Sequence, residues 1–146
     1  MTRSILFIAI FCIANNAYSE GSEPLKSSDS ETSCPQSWQM TDKQLQGQWL
    51  ASVANQEAPV RLTLGPHSEW AGTVKGTVQW ADSSYPMVGD VDQGHVTLEE
   101  SSDEVHITGT WLGEVVDGSC GREIKGEYLA GEEAPPQAFV LRKNTP

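Results

Sequence analysis

Between Glu69 and Trp80 the chain alternates with a period of two. Trp70, Gly72, Val74, Gly76, Val78 and Trp80 fall on one face, and Glu69, Ala71, Thr73, Lys75, Thr77 and Gln79 fall on the other. Such a period, with β-branched residues and no proline, predicts a strand with an apolar inner face and a polar outer one. The stretch from Val105 to Val115 repeats the design, with Val105, Ile107, Gly109, Trp111, Gly113 and Val115 on one face. Glycines on an inner face remove bulk and let a strand bend around a neighbour's aromatic ring, which favours a coiled or closed sheet over a flat one.

The same reading places strands at 46–53, 58–65, 69–80, 86–92, 95–100, 104–116, 121–130 and 137–142. Turn-forming stretches such as Gly65-Pro-His67, Asp92-Gln-Gly94 and Asp117-Gly118 separate them, and connections this short join antiparallel neighbours. The expected fold is all-β: a single antiparallel meander of about eight strands, forming a small barrel or a bent two-sheet sandwich and carrying one disulfide. Thr41 or Asp42 is placed to cap one short helix ahead of the first strand.

The N-terminus has a different pattern. Arg3, an apolar run from Ile5 to Ala14 and the small-x-small Ala17-Tyr-Ser19 predict a signal peptide over residues 1–19, too short to span a bilayer. Residues 20–37 open with a stretch rich in Ser, Glu and Asp and poor in apolar side chains, the expectation for a flexible leader. Residues 38–146 then form the β domain. The mature chain is expected to be exported, to the periplasm or beyond the cell. There the two cysteines left after cleavage, Cys34 and Cys120, pair most simply as a disulfide worth ~4 kcal/mol.

Charge narrows the partners. The formal net charge is −11, and loss of Arg3 with the signal peptide makes it one unit more negative. An acidic chain is repelled by nucleic acid, so a basic protein is the expected partner. No nucleophile elbow, His-Glu-x-x-His, phosphate-cradling loop or Cys-x-x-Cys occurs, so the chain is expected not to be an enzyme and to use no cofactor. No metal site is expected: His67, His95 and His106 read as solvated surface, although His95 and His106 could fall on adjacent strands. Asp90-Val-Asp92-Gln-Gly94 reads as a hairpin turn rather than a calcium loop. The five tryptophans suit a core that needs large residues.

In a meander, the loops after the first, third, fifth and seventh strands share one end. They gather Glu57, Asp82, Glu99, Glu100, Asp103, Glu104, Glu132 and Glu133, with Tyr85 as an aromatic anchor. This rim is the expected partner-binding surface, steering a basic protein towards it.

Gly47-Gln-Trp49 opening the first strand, the successive meander strands and the glycine–tryptophan pairs resemble the avidin and lipocalin style of small barrel over roughly Leu45 to Lys143. That resemblance implies a small-ligand pocket inside the barrel. In size, export, acidity and lack of catalytic motifs the chain is also similar to periplasmic inhibitors of cell-wall hydrolases and to bacterial immunity proteins. The expected function is therefore inhibition of a peptidoglycan-degrading toxin or enzyme, with a small-ligand-binding barrel as the alternative.

Overall fold

The computed structural model describes residues 34–131 and 133–144. The predicted signal peptide and residues 20–33 of the leader lie outside the described residues. Eight strands follow a short 3₁₀ turn, Ser37–Gln39, and one four-residue helix, α1 (Asp42–Leu45). The strands are β1 (Gly47–Val53), β2 (Val60–Pro66), β3 (Thr73–Gln79), β4 (Ser84–Asp92), β5 (His95–Ser101), β6 (Ile107–Val115), β7 (Glu123–Leu129) and β8 (Gln137–Lys143).

Each strand pairs antiparallel with the next, and β8 returns to β1 through a register running from Trp49↔Lys143 to Val53↔Phe139. This last pairing makes the sheet a closed barrel and not a sandwich, and leaves no strand edge unpaired. The alternation expected from the sequence fills the interior: Trp49, Ala51, Val60, Leu62, Val74, Val78, Met87, Leu98, Trp111, Ile124 and Leu141 are all buried. Trp111 packs against Tyr128 at 4.7 Å and Phe139 at 5.0 Å between ring centroids. The Asp90–Gly94 stretch carries a two-residue hairpin turn in which Gln93 and Gly94 both have positive φ, 47° and 88°, the geometry whose twist matches the flanking strands.

In two stretches the positions expected to face inward do not. Strand β3 begins only at Thr73, because Gly72 at φ 80° breaks the extended run; Trp70 thus lies in the preceding turn, 60% exposed and stacked on His67. At the start of β6, Val105 and Ile107 are exposed, because a bulge after Glu100 pairs Ser101 with Ile107 while Glu100 pairs with Gly109. Beyond the bulge the alternation returns, and Gly109, Trp111 and Val115 point inward.

One end of the barrel is sealed. Thr41 and Gln44 form a capping box that starts α1, whose Leu45 is fully buried beside Met40. The disulfide Cys34–Cys120, with an S–S distance of 2.03 Å, joins the chain ahead of β1 to the loop between β6 and β7, and Ser37 donates to Asp117 of that loop. The part of the leader that is described, residues 34–37, is thus fastened to the barrel. Trp49 donates its indole N–H to the Leu45 carbonyl at 2.7 Å, and the Lys143 ammonium sits 5.3 Å from the Trp49 ring while donating to the Gln44 carbonyl. Burial beside these groups lowers the Lys143 pKa, with a smaller contribution from Arg122. Gly47 has φ 124°, and a Cβ there would approach the Lys143 side chain to 3.1 Å, so Gly47-Gln-Trp49 forms part of the seal.

Candidate functional site: the open mouth of the barrel

The opposite end is open. It is framed by the β1–β2, β3–β4, β5–β6 and β7–β8 loops, residues 54–59, 80–83, 102–106 and 130–136, none of which contains Lys or Arg. Between them lies a recess of about 460 Å³ whose walls include Trp80, Tyr85 and Tyr128, with Glu100 also lining it.

Glu100 is the one buried charged side chain among the described residues, at 3% exposure. Strand β5 runs to Ser101, one residue beyond the expected 95–100, and the alternation after Leu98 turns Glu99 out and Glu100 in. Glu100 is therefore not a member of the acidic rim. Its carboxylate accepts hydrogen bonds from the Tyr128 hydroxyl at 2.7 Å, the Trp80 indole at 3.2 Å and, more weakly, the Trp111 indole at 3.5 Å. Burying a carboxylate without such donors costs several kcal/mol, and here three neutral aromatic donors supply the bonds that water would make. Tyr128 is correspondingly a very weak acid: burial raises its pKa most, and the hydrogen bond to Glu100 and the negative charge there raise it further.

Room for this arrangement comes from Gly109, which pairs with Glu100 across β5 and β6. A Cβ at Gly109 would lie 2.5 Å from a Glu100 carboxylate oxygen and 2.7 Å from the Tyr128 hydroxyl. The position tolerates no side chain while those two groups stay in place.

The other rim residues fall as follows. Glu57, Asp82, Glu104 and Glu133 are exposed in the mouth loops, and Glu132 lies outside the described residues. Asp103 organises its own loop: it accepts from the Val105 and His106 backbone N–H groups at 2.9 and 2.8 Å and lies 2.7 Å from the His106 ring. The bond to the His106 side chain is the largest of the effects that hold its pKa well below the usual carboxylate range. Glu99 is half-buried on the outer wall, where with Lys75, His67 and Trp70 it lines a separate surface groove. Tyr85 is half-buried, packs on the core and reaches the recess, inside the mouth and not on its edge. His95 and His106 lie at opposite ends of the barrel, because His95 opens β5 at the sealed end whereas His106 precedes β6 at the open end.

Sequence reasoning did not find the Glu100–Tyr128–Trp80 cluster. Its signal was there: Glu100 lies within the expected strand 95–100 and continues the inward parity of Val96 and Leu98. No protein-family model matches this chain, and no curated protein matches it.

Proposed function

We propose that the protein is an exported binding protein that inhibits a basic, cell-wall-degrading enzyme or toxin, and that it meets this partner with the open end of the barrel. The observation that carries the reading is the charge of that end: four loops bearing exposed Glu57, Asp82, Glu104 and Glu133, with no Lys or Arg in any of them. Such a ring of one sign raises the local concentration of a basic partner and orients it before contact, while half-buried aromatics within the ring provide area to bury. The sealed end has the opposite design: a disulfide fastens Cys34 to the β6–β7 loop, and the capped helix α1 lies ahead of β1 with Leu45 buried.

The test uses the mature protein and a panel of basic peptidoglycan hydrolases, with activity and association rate measured at low and high salt. The expected result is stoichiometric inhibition of at least one of them, with association slowing steeply as salt rises. Changing Glu57, Asp82, Glu104 and Glu133 together to Lys should slow association with the fold intact, and this set spares Glu100, whose replacement by Lys would place a cation among its own hydrogen-bond donors. No inhibition across the panel, or equal rates for the variant, would count against the reading.

The recess supports a second reading. About 460 Å³ walled by aromatic side chains, with a few converging polar groups, falls within the ~300–1,000 Å³ range of small-molecule sites. On that reading the barrel is a carrier that holds a small ligand at its mouth.

A further inference from the structure

Glu100 presents a problem of charge that its hydrogen bonds do not solve. Tyr128, Trp80 and Trp111 satisfy its oxygens with neutral donors, and every ion pair among the described residues involves some other carboxylate. A carboxylate offers about four lone-pair positions, so three donors leave capacity for one more. The residue borders a recess open to solvent, so that last donor can arrive from outside. For stability alone, a leucine or methionine in this interior would avoid the cost of burying the carboxylate.

The surroundings define what that donor should be. Trp80 and Tyr128 direct their polar ends at Glu100, which brings their ring bodies around the same point, and Tyr85 adds a third ring to the wall. Aromatic faces attract cations, most strongly when the site is desolvated. The mouth loops outside carry several carboxylates and no Lys or Arg, so an anion is repelled on approach and a neutral molecule gains nothing from them. Gly109 keeps the position of the carboxylate clear, so the geometry is built in by the backbone.

We propose that the recess is a receptor for an organic cation: an ammonium or guanidinium group that donates to Glu100 and packs its carbon atoms against Trp80, Tyr85 and Tyr128. The same chemistry has two sources, a free small amine and the side chain of a lysine or arginine on a protein partner. The site does not depend on the inhibitor reading, since a free amine would fill it equally well.

The experiment is a titration of the mature protein with butylammonium, butylguanidinium, butanol and butyrate at constant ionic strength, followed by tryptophan fluorescence and calorimetry. Both cations are expected to give saturable binding, and butanol and butyrate are not. Glu100→Gln, whose single carbonyl oxygen can still accept from the Trp80 and Trp111 indoles while its amide NH2 donates to the Tyr128 hydroxyl oxygen, should weaken cation binding by about tenfold or more, the loss expected for one charge-assisted bond. Tyr85→Ala leaves the hydrogen-bond cluster untouched and should weaken it to a smaller extent, which keeps the test valid should Glu100→Gln fold poorly. Butanol binding as tightly as butylammonium, no saturable response to either cation, or full affinity in both variants would overturn the proposal. To separate the sources, a short peptide with one central lysine is compared with butylammonium on the four-lysine rim variant. Weakening of the peptide alone assigns the site to a protein side chain, and equal behaviour of the two assigns it to a small amine; either result supports the receptor. Failure of hydrolase inhibition with cation binding intact would remove the proposed function and leave this site standing, and the reverse outcome would do the opposite.

Discussion

The two ends of this barrel are made by the same meander and solve opposite problems. At the sealed end, polar groups meet partners belonging to the chain itself: the Trp49 indole finds the Leu45 carbonyl, and Lys143 finds Gln44 and the Trp49 ring. At the open end, Trp80, Trp111 and Tyr128 turn their donors towards a single carboxylate, with no ion pair to it among the described residues. A tryptophan–carbonyl bond beneath a helix cap closes a fold. A buried carboxylate beside an open recess gives up stability that a hydrocarbon would keep. The difference teaches that within one barrel an aromatic donor serves the chain's own backbone at one end and a buried charge at the other.

The comparison is broken most directly by tryptophan deletion. Trp49→Ala, which empties a 2%-exposed site at the sealed end, should cost ~3–5 kcal/mol in denaturant unfolding. Trp80→Ala at the half-buried mouth should cost clearly less; equal losses would show that the two ends are packed alike. Next in size is the disulfide. Cys34→Ser or Cys120→Ser opens an 86-residue loop and should lower stability by about 2–4 kcal/mol without abolishing the fold. Two reactive thiols in the unfolded, unreduced wild type would disprove the bond itself.

A smaller and more local effect is expected at Gly109. Gly109→Ala must displace the Glu100 carboxylate or the Tyr128 hydroxyl, costing about 1–3 kcal/mol and changing tryptophan emission from the mouth. An unchanged spectrum and stability would mean that the cluster is loose. The smallest effect is spectroscopic. Because burial and Glu100 raise the Tyr128 pKa above its unfolded value near 10, its contribution to stability is complete below that pH and is lost as pH climbs through the higher folded value. An ultraviolet titration of the native protein compared with Tyr128→Phe should therefore show no phenolate from Tyr128 in the ordinary tyrosine range; a difference in that range would contradict the buried hydrogen bond.

What was legible in the chain was whatever depends on neighbours along it. Alternation at Val74, Val78, Trp111 and Val115 was enough to assign strands and their inner faces, because side chains two apart share a face whatever the sheet does next. Turn residues set the antiparallel meander, and two cysteines in a chain expected to be exported pointed to one bond. Barrel against sandwich could not be decided, because closure rests on β1 meeting β8, strands some ninety residues apart whose register depends on the whole shear of the sheet. The same limit concealed the mouth. Glu100 reads as one more carboxylate beside Glu99 until the bulge opposite it and the glycine at 109 combine to make room for it beneath Tyr128. Local pattern determines which residues can face the core. Which of them meet there, and so where a charge can be held inside, is decided by contacts between segments far apart in sequence, whose geometry exists only once the barrel has closed.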